Sequence, residues 1–573
     1  MKWLKRFLAG FIALLALAIT LVYLTPLDTY VPEMERFLGE RLREPVSIRS
    51  LRISASPLPY LELQEVRFGG QDGITARSVN VEPDLSALLV GKLAVRRILV
   101  REGTASLAQV RKLAALSGGA PAAAPRVVVR ELQFSGMNLL TPEMTLGPVE
   151  GKLEFAQAGA LERVWLAMDE QKVTAVLLPL SGRRFSVKAQ ARAWALPQYP
   201  QMLLDEMQVE GEFGEQDFVA QKFSVAWSGI RAAGSGKAEF AEGWHVQANV
   251  TQADTRLEQL MALLGDSVEL TGAISAKGKL DGEAATLGAL KDSFRFSGDV
   301  LIENATARIS ADLRHPLVFE RIWARVVAQP ERLEMRALEA RLYGGKLSGT
   351  ASINRRNAML VADATVNSMA MQSLVEALTN EVLFTGSMDG AAKLSMRLDA
   401  FERFPENLKL AGNFHLRNGV LSKVDLAQAV SNPARAGGAK GTTRFDDLTG
   451  LLTVDTGGYH FRELKIASSS LHAKGKVDVS PSLRLSGALD AKLKGTAGLV
   501  SMPMVVSGTL NEPVVRPSGS ALAGAAVGTV ILGPGLGTAI GVRVGGFLNK
   551  LFGKKDGDKN SGADAAPRPP EKK

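Results

Sequence analysis

The sequence predicts a mainly β protein: a largely antiparallel sheet with one apolar and one polar face, a transmembrane helix ahead of it and a few short amphipathic helices within it. Three observations carry this prediction. Hydrophobicity alternates with a period of two from Val46 onward, the glycines fall mostly at the ends of the alternating segments, and one uncharged run stands at the N-terminus. The alternation is plainest at Leu61 and Leu63, at Phe294, Phe296, Gly298, Val300 and Ile302, at Leu394, Met396 and Leu398, and at Leu471, Ala473, Gly475, Val477 and Val479. Successive strand side chains point to opposite sides, so each run gives one apolar and one polar face. Something must cover the apolar one.

A chain of 573 residues exceeds what one hydrophobic core usually organises, which makes repetition the first thing to test. Leu257, Leu260, Leu264, Val268, Leu270, Thr271 and Gly272 match Met371, Leu374, Leu378, Val382, Phe384, Thr385 and Gly386 without a gap, at an offset of about 114 residues. Each copy reads as a short amphipathic helix followed by a strand entering Thr-Gly. A second block aligns Phe319, Ile322, Leu333, Met335, Leu338, Ala340 and Gly349 with Phe445, Leu448, Tyr459, Phe461, Leu464, Ile466 and Gly475, and a weaker copy lies at Phe218, Phe223, Val225, Trp227 and Gly234. Strands are therefore expected to be added in modules.

At the N-terminus, Phe7 to Leu24 carry no charge and follow Lys2, Lys5 and Arg6. As a helix this run reaches about 27 Å, close to the hydrocarbon thickness of a bilayer. The basic flank places the N-terminus in the cytoplasm and the rest of the chain across the membrane. A cleaved signal peptide, processed near Ala16-Leu17-Ala18, is the competing reading. Pro26 and Asp28 are expected to end the span and cap an amphipathic helix over about 31–42, with Met34, Phe37, Leu38 and Leu42 at helical spacing.

The expected organisation is an anchor over 1–25, a helix and β region over 26–116, an SGGAPAAAP linker at 117–125, a repetitive β region over 126–400, a C-terminal region over 401–520, an apolar segment over 521–553 and a disordered charged tail over 554–573. In the apolar segment, interrupted only by Arg543 between Ala521 and Leu548, glycines recur every four residues at Gly524 and Gly528 and at Gly537, Gly541 and Gly545. Gly533-Pro534-Gly535 divides it into two arms too short to span a bilayer, so a re-entrant or interfacial hairpin is expected, extended by Phe547 and a basic end.

The chemistry of enzymes is sparse. Cysteine is absent, which removes disulfides and thiolate metal sites. The five histidines, His245, His315, His415, His460 and His472, show no metal-ligand spacing and read as strand or turn residues. Gly234-Ser235-Gly236-Lys237 lacks both the first glycine and the Ser/Thr of a phosphate loop and reads as a strand with a turn. The run Gly533 to Gly541 lacks dinucleotide spacing, and no cofactor is expected. The net charge of +9 is spread along the chain and mixed with acids, without a nucleic-acid recognition motif.

The C-terminal third contains Gly412-Asn413-Phe414-His415-Leu416-Arg417-Asn418-Gly419-Val420-Leu421, then Asp425-Leu426, then Thr442-Thr443-Arg444-Phe445-Asp446-Asp447-Leu448-Thr449-Gly450. This combination resembles the C-terminal region of the AsmA family, in which a strand with an Asn-Gly turn precedes an Asp-Leu helix start and a Thr-x-Phe-x-x-Leu-x-Gly strand. Asp28-Thr29-Tyr30, Leu342 to Gly349 and Val506 to Pro513 extend the resemblance to both ends of the chain; the 521–553 segment lies outside it. The resemblance implies a protein of the Gram-negative inner membrane with a periplasmic β body, linked to outer-membrane biogenesis and similar in architecture to bridge-like lipid transfer proteins. It implies an elongated, curved sheet forming an apolar groove for phospholipid or another acyl lipid, lined by candidates such as Phe294, Phe296, Val300, Ile302, Leu394, Met396 and Leu398. A non-lipid scaffold assisting outer-membrane protein assembly is the alternative.

Overall fold

The computed structural model describes residues 27–518 apart from 55–58, 71–72, 90–93, 111–127, 142–144, 157–158, 182, 197–198, 265–268, 309–313, 380, 400–406, 432–440 and 496–497. The expected anchor, linker, glycine-rich apolar segment and charged tail lie outside the described residues. Among the described residues, no helix is long and apolar enough to cross a membrane.

The chain forms two compact units. Unit 1 comprises the residues up to Ala305 together with Arg325–Pro330, and unit 2 comprises Thr306–Ala324 and the chain from Glu331 onward. Unit 1 begins with a 3-10 turn at Leu27–Tyr30 and helix α1 (Val31–Leu42). Strands β1 (Val46–Ser47), β2 (Ser50–Ser54), β3 (Tyr60–Phe68) and β4 (Ile74–Pro83) follow, then α2 (Leu85–Leu89), β5 (Ala94–Ser106), β6 (Val128–Val129), β7 (Glu131–Leu140), β8 (Thr145–Phe155) and β9 (Leu161–Met168). It continues with β10 (Val173–Pro179), β11 (Phe185–Leu196), β12 (Tyr199–Phe213), β13 (Asp217–Trp227), β14 (Ile230–Glu239), β15 (Trp244–Arg256), α3 (Leu257–Leu264), β16 (Leu270–Ala284) and α4 (Leu287–Leu290). The division between the units falls across β17 (Arg295–Ala307) and β18 (Leu317–Ala328).

Unit 2 carries β19 (Arg332–Leu342), β20 (Gly345–Asn354), β21 (Met359–Ala370), α5 (Met371–Thr379), β22 (Ser387–Arg397), β23 (Lys409–Leu421) and α6 (Leu426–Ser431). It ends with β24 (Thr443–Asp455), β25 (Gly458–Ala467), β26 (Leu471–Val479), β27 (Leu485–Gly495), β28 (Gly498–Gly508) and β29 (Pro513–Pro517). Within β7–β16 and within β19–β29 each strand pairs antiparallel with the next, as short tight connections require. The β5–β7 pair is parallel, consistent with the longer connection between those strands.

Equivalent positions of the sequence blocks share local geometry. Gly272 and Gly386, equivalent in the first block, both adopt positive φ, at 141° and 122°, after helices α3 and α5. In the second block, Gly349 and Gly475 each face a neighbouring carbonyl so closely that a Cβ would stand 2.0 Å from Asp363 O and 2.1 Å from Ala488 O. The upstream equivalent Gly234 does the same against Asn249 O, at 2.2 Å.

Three local expectations are corrected. Asp28 does not cap α1: it lies in the preceding 3-10 turn, and its Oδ1 accepts the Leu51 N–H at 3.0 Å. Together with Glu35, whose Oε1 accepts the Ile48 N–H at 2.7 Å, it satisfies donors at the start of the sheet that would otherwise be open to another strand. Asn418-Gly419 is not a hairpin turn, because β23 runs straight through it. Gly234 to Lys237 contain no turn either, being interior to β14. The final strand is blunted too: Ser518 N–H bonds to Pro503 O, a phase that turns the backbone nitrogens of 513, 515 and 517 toward the free edge, and two of these are prolines without an N–H.

Candidate functional site

Antiparallel partners share a face, so register identifies the side chains that look inward. In unit 1 the inward set includes Val187 and Ala189 on β11, Met207, Val209 and Phe213 on β12, Phe218, Phe223 and Trp227 on β13, Trp244, Val246 and Val250 on β15, and Ile274 and Leu280 on β16. Among the described side chains of β7–β16 this face contains no Asp, Glu, Lys, Arg or His, and one hydroxyl, that of Thr255. The opposite face pairs charges: Lys188 with Glu210, Arg184 with Asp217, and Lys152 with Glu131 and Glu154.

An extra residue in a strand would exchange the faces beyond it unless two successive side chains point the same way. On the strands running in one direction the alternation is reset near the C-terminal end, where two successive side chains face outward. These are Arg192-Ala193, Gln221-Lys222, Thr251-Gln252 and Glu303-Asn304 in unit 1, and Asn367-Ser368, Arg417-Asn418 and Arg462-Glu463 in unit 2. Ala193, Asn304, Ser368, Asn418 and Glu463 adopt left-handed φ between 45° and 55° at these steps. The apolar side chains on either side of each step thereby stay on one face.

Glycines shape the floor. A Cβ at Gly298 would lie 2.7 Å from Phe296 Cζ and 2.1 Å from Lys277 O, and one at Gly282 would lie 2.6 Å from Phe294 Cδ1. The phenyl rings thus lie over bare backbone, an arrangement that supports strand glycines. On β11–β17 of unit 1 the fully buried inward side chains are Val187, Ala191, Ala220 and Ala305, mostly small residues at floor level. The larger ones, including Phe223, Trp227, Trp244, Phe296 and Ile302, remain half-buried, and Phe213 is 38% exposed.

The C-terminal strands of unit 2 are covered differently. Helices α5 and α6 bring Met371, Val375, Leu426, Ala429 and Val430 onto Leu416, Phe445, Ile466, Leu471, Leu489, Met504 and Val506, forming a buried core. A smaller core in unit 1 joins Ile48, Leu51 and Leu63 to Val31, Met34 and Leu38 of α1. The resemblance residues belong to the first of these cores. Asp425 caps α6, its Oδ1 accepting the Gln428 N–H at 2.9 Å. Thr443 Oγ1 accepts the Leu426 N–H at 3.0 Å and donates to Val424 O at 2.8 Å. Gly419 lies under the Phe445 ring, Gly450 under Phe414, and Gly412 against Ala391 O; Leu448 packs at the edge. Asn418 supplies the step that keeps Leu416 and Gly419 on one face.

The seven lining candidates divide between the units. Phe294, Phe296, Val300 and Ile302 share the inward face of unit 1 with Ala305, against which Gly272 packs. Leu394 and Met396 look inward from β22, opposite Ala362 and Leu360, and Leu398 stands one residue beyond that strand. The lining candidates left out the aromatic residues of β12, β13 and β15, although Phe218, Phe223 and Trp227 already stood in the weaker repeat copy and the same signal, aromatic residues alternating with Gly or Ala, is present there. The membrane-contact candidates Gly524, Gly528, Gly537, Gly541, Gly545 and Phe547 lie outside the described residues.

Histidines lie on the polar face, His245 at 3.2 Å from Asp281, His415 at 2.6 Å from Asp447 and His460 at 2.6 Å from Asp478. Among the described residues no group of three or more His, Asp or Glu side chains is placed to hold a metal ion. No family model, curated protein or solved structure matches this chain.

Proposed function

We propose that acyl chains cover the inward face, and that the protein is a non-enzymatic, inner-membrane-anchored carrier or conduit for phospholipid between envelope membranes, supporting outer-membrane biogenesis. The observation that carries this reading is the composition of the face: among the described side chains, inward positions on β7–β16 and β19–β29 hold no Asp, Glu, Lys, Arg or His, and hydroxyls only at Thr255, Thr443 and Tyr459. Such a surface offers an acyl chain about 0.8 kcal/mol per buried methylene and offers a headgroup nothing to pair with, so headgroups belong at the rim. Half-buried Phe, Trp and Ile side chains in unit 1 leave apolar area for a guest. The resemblance to the AsmA family supports the same reading and adds the compartment.

Native mass spectrometry of the detergent-extracted full chain tests it. Phospholipid should co-purify, and substituting Val300→Asp together with Ile302→Asp should lower the bound lipid while the circular dichroism of the sheet persists. Unchanged lipid content in a folded variant would overturn the reading.

A further inference from the structure

On the polar face of unit 2, the register of β25–β27 brings like charges together. Lys465 stands directly opposite Lys474, and His472 directly opposite Lys492. Lys476 and Lys494 lie one alternation away on the same strands, and Arg516 of β29 follows Val505 and Ala488 in the row that begins at Lys476. All six cations and His472 are exposed, and among the described residues none of the six makes an ion pair. Two acids stand among them: Asp490, directly opposite Lys474 but with its Oδ1 accepting the Ser501 hydroxyl at 2.8 Å, and Glu463 beside Lys465. Asp478 is engaged by Arg462 and His460. Like charges directly opposite destabilise a sheet unless a counter-charge compensates them, and where they face each other elsewhere one is bonded to them: Lys152 bridges Glu131 and Glu154, Arg184 and Lys237 hold Asp217 and Glu239, and Glu339 pairs with Lys346 opposite Arg341.

We propose that the outward face of β25–β27, continued by Arg516, docks on an anionic lipid bilayer. The pattern suits a membrane better than a protein or a nucleic acid. The cations stand in a plane, about 4.8 Å apart between strands and about 7 Å apart along them, and a plane of charge meets a plane of headgroups. Five of the six are lysines, point charges suited to diffuse attraction, whereas bidentate recognition of a defined phosphate favours arginine. Protein hot spots centre on aromatic and arginine anchors, and single-stranded nucleic acid is held by aromatic stacking; the outward positions facing these lysines on the neighbouring strands include Ala488, Asp490 and Ser501, with no Phe, Tyr or Trp. The surface is separate from the lipid-covered face proposed above, lying on the other side of the same strands, and does not depend on that reading.

Vesicle capture tests it. The full chain is reconstituted in phosphatidylcholine vesicles and offered labelled acceptor vesicles, either of phosphatidylcholine alone or containing phosphatidylglycerol. The anionic acceptors should be captured and the neutral ones left free, with capture falling as salt rises and the Debye length shrinks from about 10 Å toward about 3 Å. Substituting Lys474→Gln, Lys476→Gln and Lys492→Gln together should reduce capture at least about tenfold, since each lysine near an anionic surface contributes separately. The control Lys277→Gln with Lys279→Gln on unit 1 should leave capture unchanged. Equal capture by the triple variant, or an oligonucleotide or acidic protein displacing the vesicles at stoichiometric concentration, would overturn the proposal. Co-purified lipid, measured in parallel, should not change in the triple variant, so failure here is distinguishable from failure of the carrier reading.

Discussion

The C-terminal strands of unit 2 and the strands β11–β17 of unit 1 follow one design rule and reach different ends. Both alternate inward apolar with outward polar side chains, both reset the alternation with left-handed steps, and both lay aromatic rings over glycines. In unit 2, however, the connections after β21 and β23 return as α5 and α6 and place Leu426 and Val430 on the face, so that Leu471 and Met504 are at most 2% exposed. In unit 1 the corresponding larger side chains stay half-buried. Unit 1 has a helical connection too, but α3 packs beside its own strands β15 and β16, whereas α6 reaches β27 and β29: alternation makes a face, and the reach of the helices decides how much of it the chain covers for itself.

The sharpest way to break this comparison is to cut the same kind of side chain from both regions. Leu471→Ala, in the sealed core, should cost about 2–5 kcal/mol of stability in denaturant unfolding, because both transfer energy and a cavity are at stake. Ile302→Ala, on the half-buried face, should cost less than about 2 kcal/mol in delipidated protein, since its surroundings already admit solvent. Equal costs would mean that the two faces are equally sealed. The next effect concerns the bonds that seat α6. Thr443→Val removes the acceptor of the Leu426 N–H and the donor to Val424 O, leaving buried backbone groups unpaired at a cost of about 1–3 kcal/mol, measurable as a lower unfolding midpoint and faster hydrogen exchange at Leu426.

The smallest effect belongs to the polar face. In unit 1, Arg97 and Arg96 donate to Glu82 at 2.8 and 2.6 Å, and the bond from Arg97 foremost holds that carboxyl below its ordinary value of 4.5. A carboxyl depressed by folding stabilises above its unfolded pKa, and the contribution is lost as pH falls through the folded value. Glu82→Gln should therefore flatten the acid limb of the stability curve below about pH 4.5 and leave the inward face untouched; an unchanged acid limb would show that the pair contributes nothing.

Much of the fold is legible in the sequence because a strand's period is short and its violations are costly. The runs at Phe294 to Ile302 and Leu471 to Val479 fall on strands with the expected inward set, and the helices at 257–264 and 371–379 recur at equivalent places. What escaped was non-local. Asn418-Gly419 carries the strongest hairpin signal in the sequence language, yet the left-handed residue is used here to turn side chains over within a strand. Asp28 has the chemistry of a helix cap but finds the Leu51 N–H, a partner distant in sequence. The resemblance residues Asp425, Thr443 and Phe445 could be noticed but not assigned a role, because their task of fastening α6 exists only once β23 and β24 are side by side.

The central claim is that guest hydrocarbon covers the half-buried face of unit 1. Photo-crosslinking in intact membranes addresses it most directly, with a diazirine amino acid placed singly at Phe296, at Lys277 on the outward face, and at Leu471 in the sealed core. The account predicts phospholipid adducts through the acyl chain at Phe296 and none at Lys277 or Leu471. Adducts to protein alone at Phe296, or equal lipid labelling at all three positions, would contradict it.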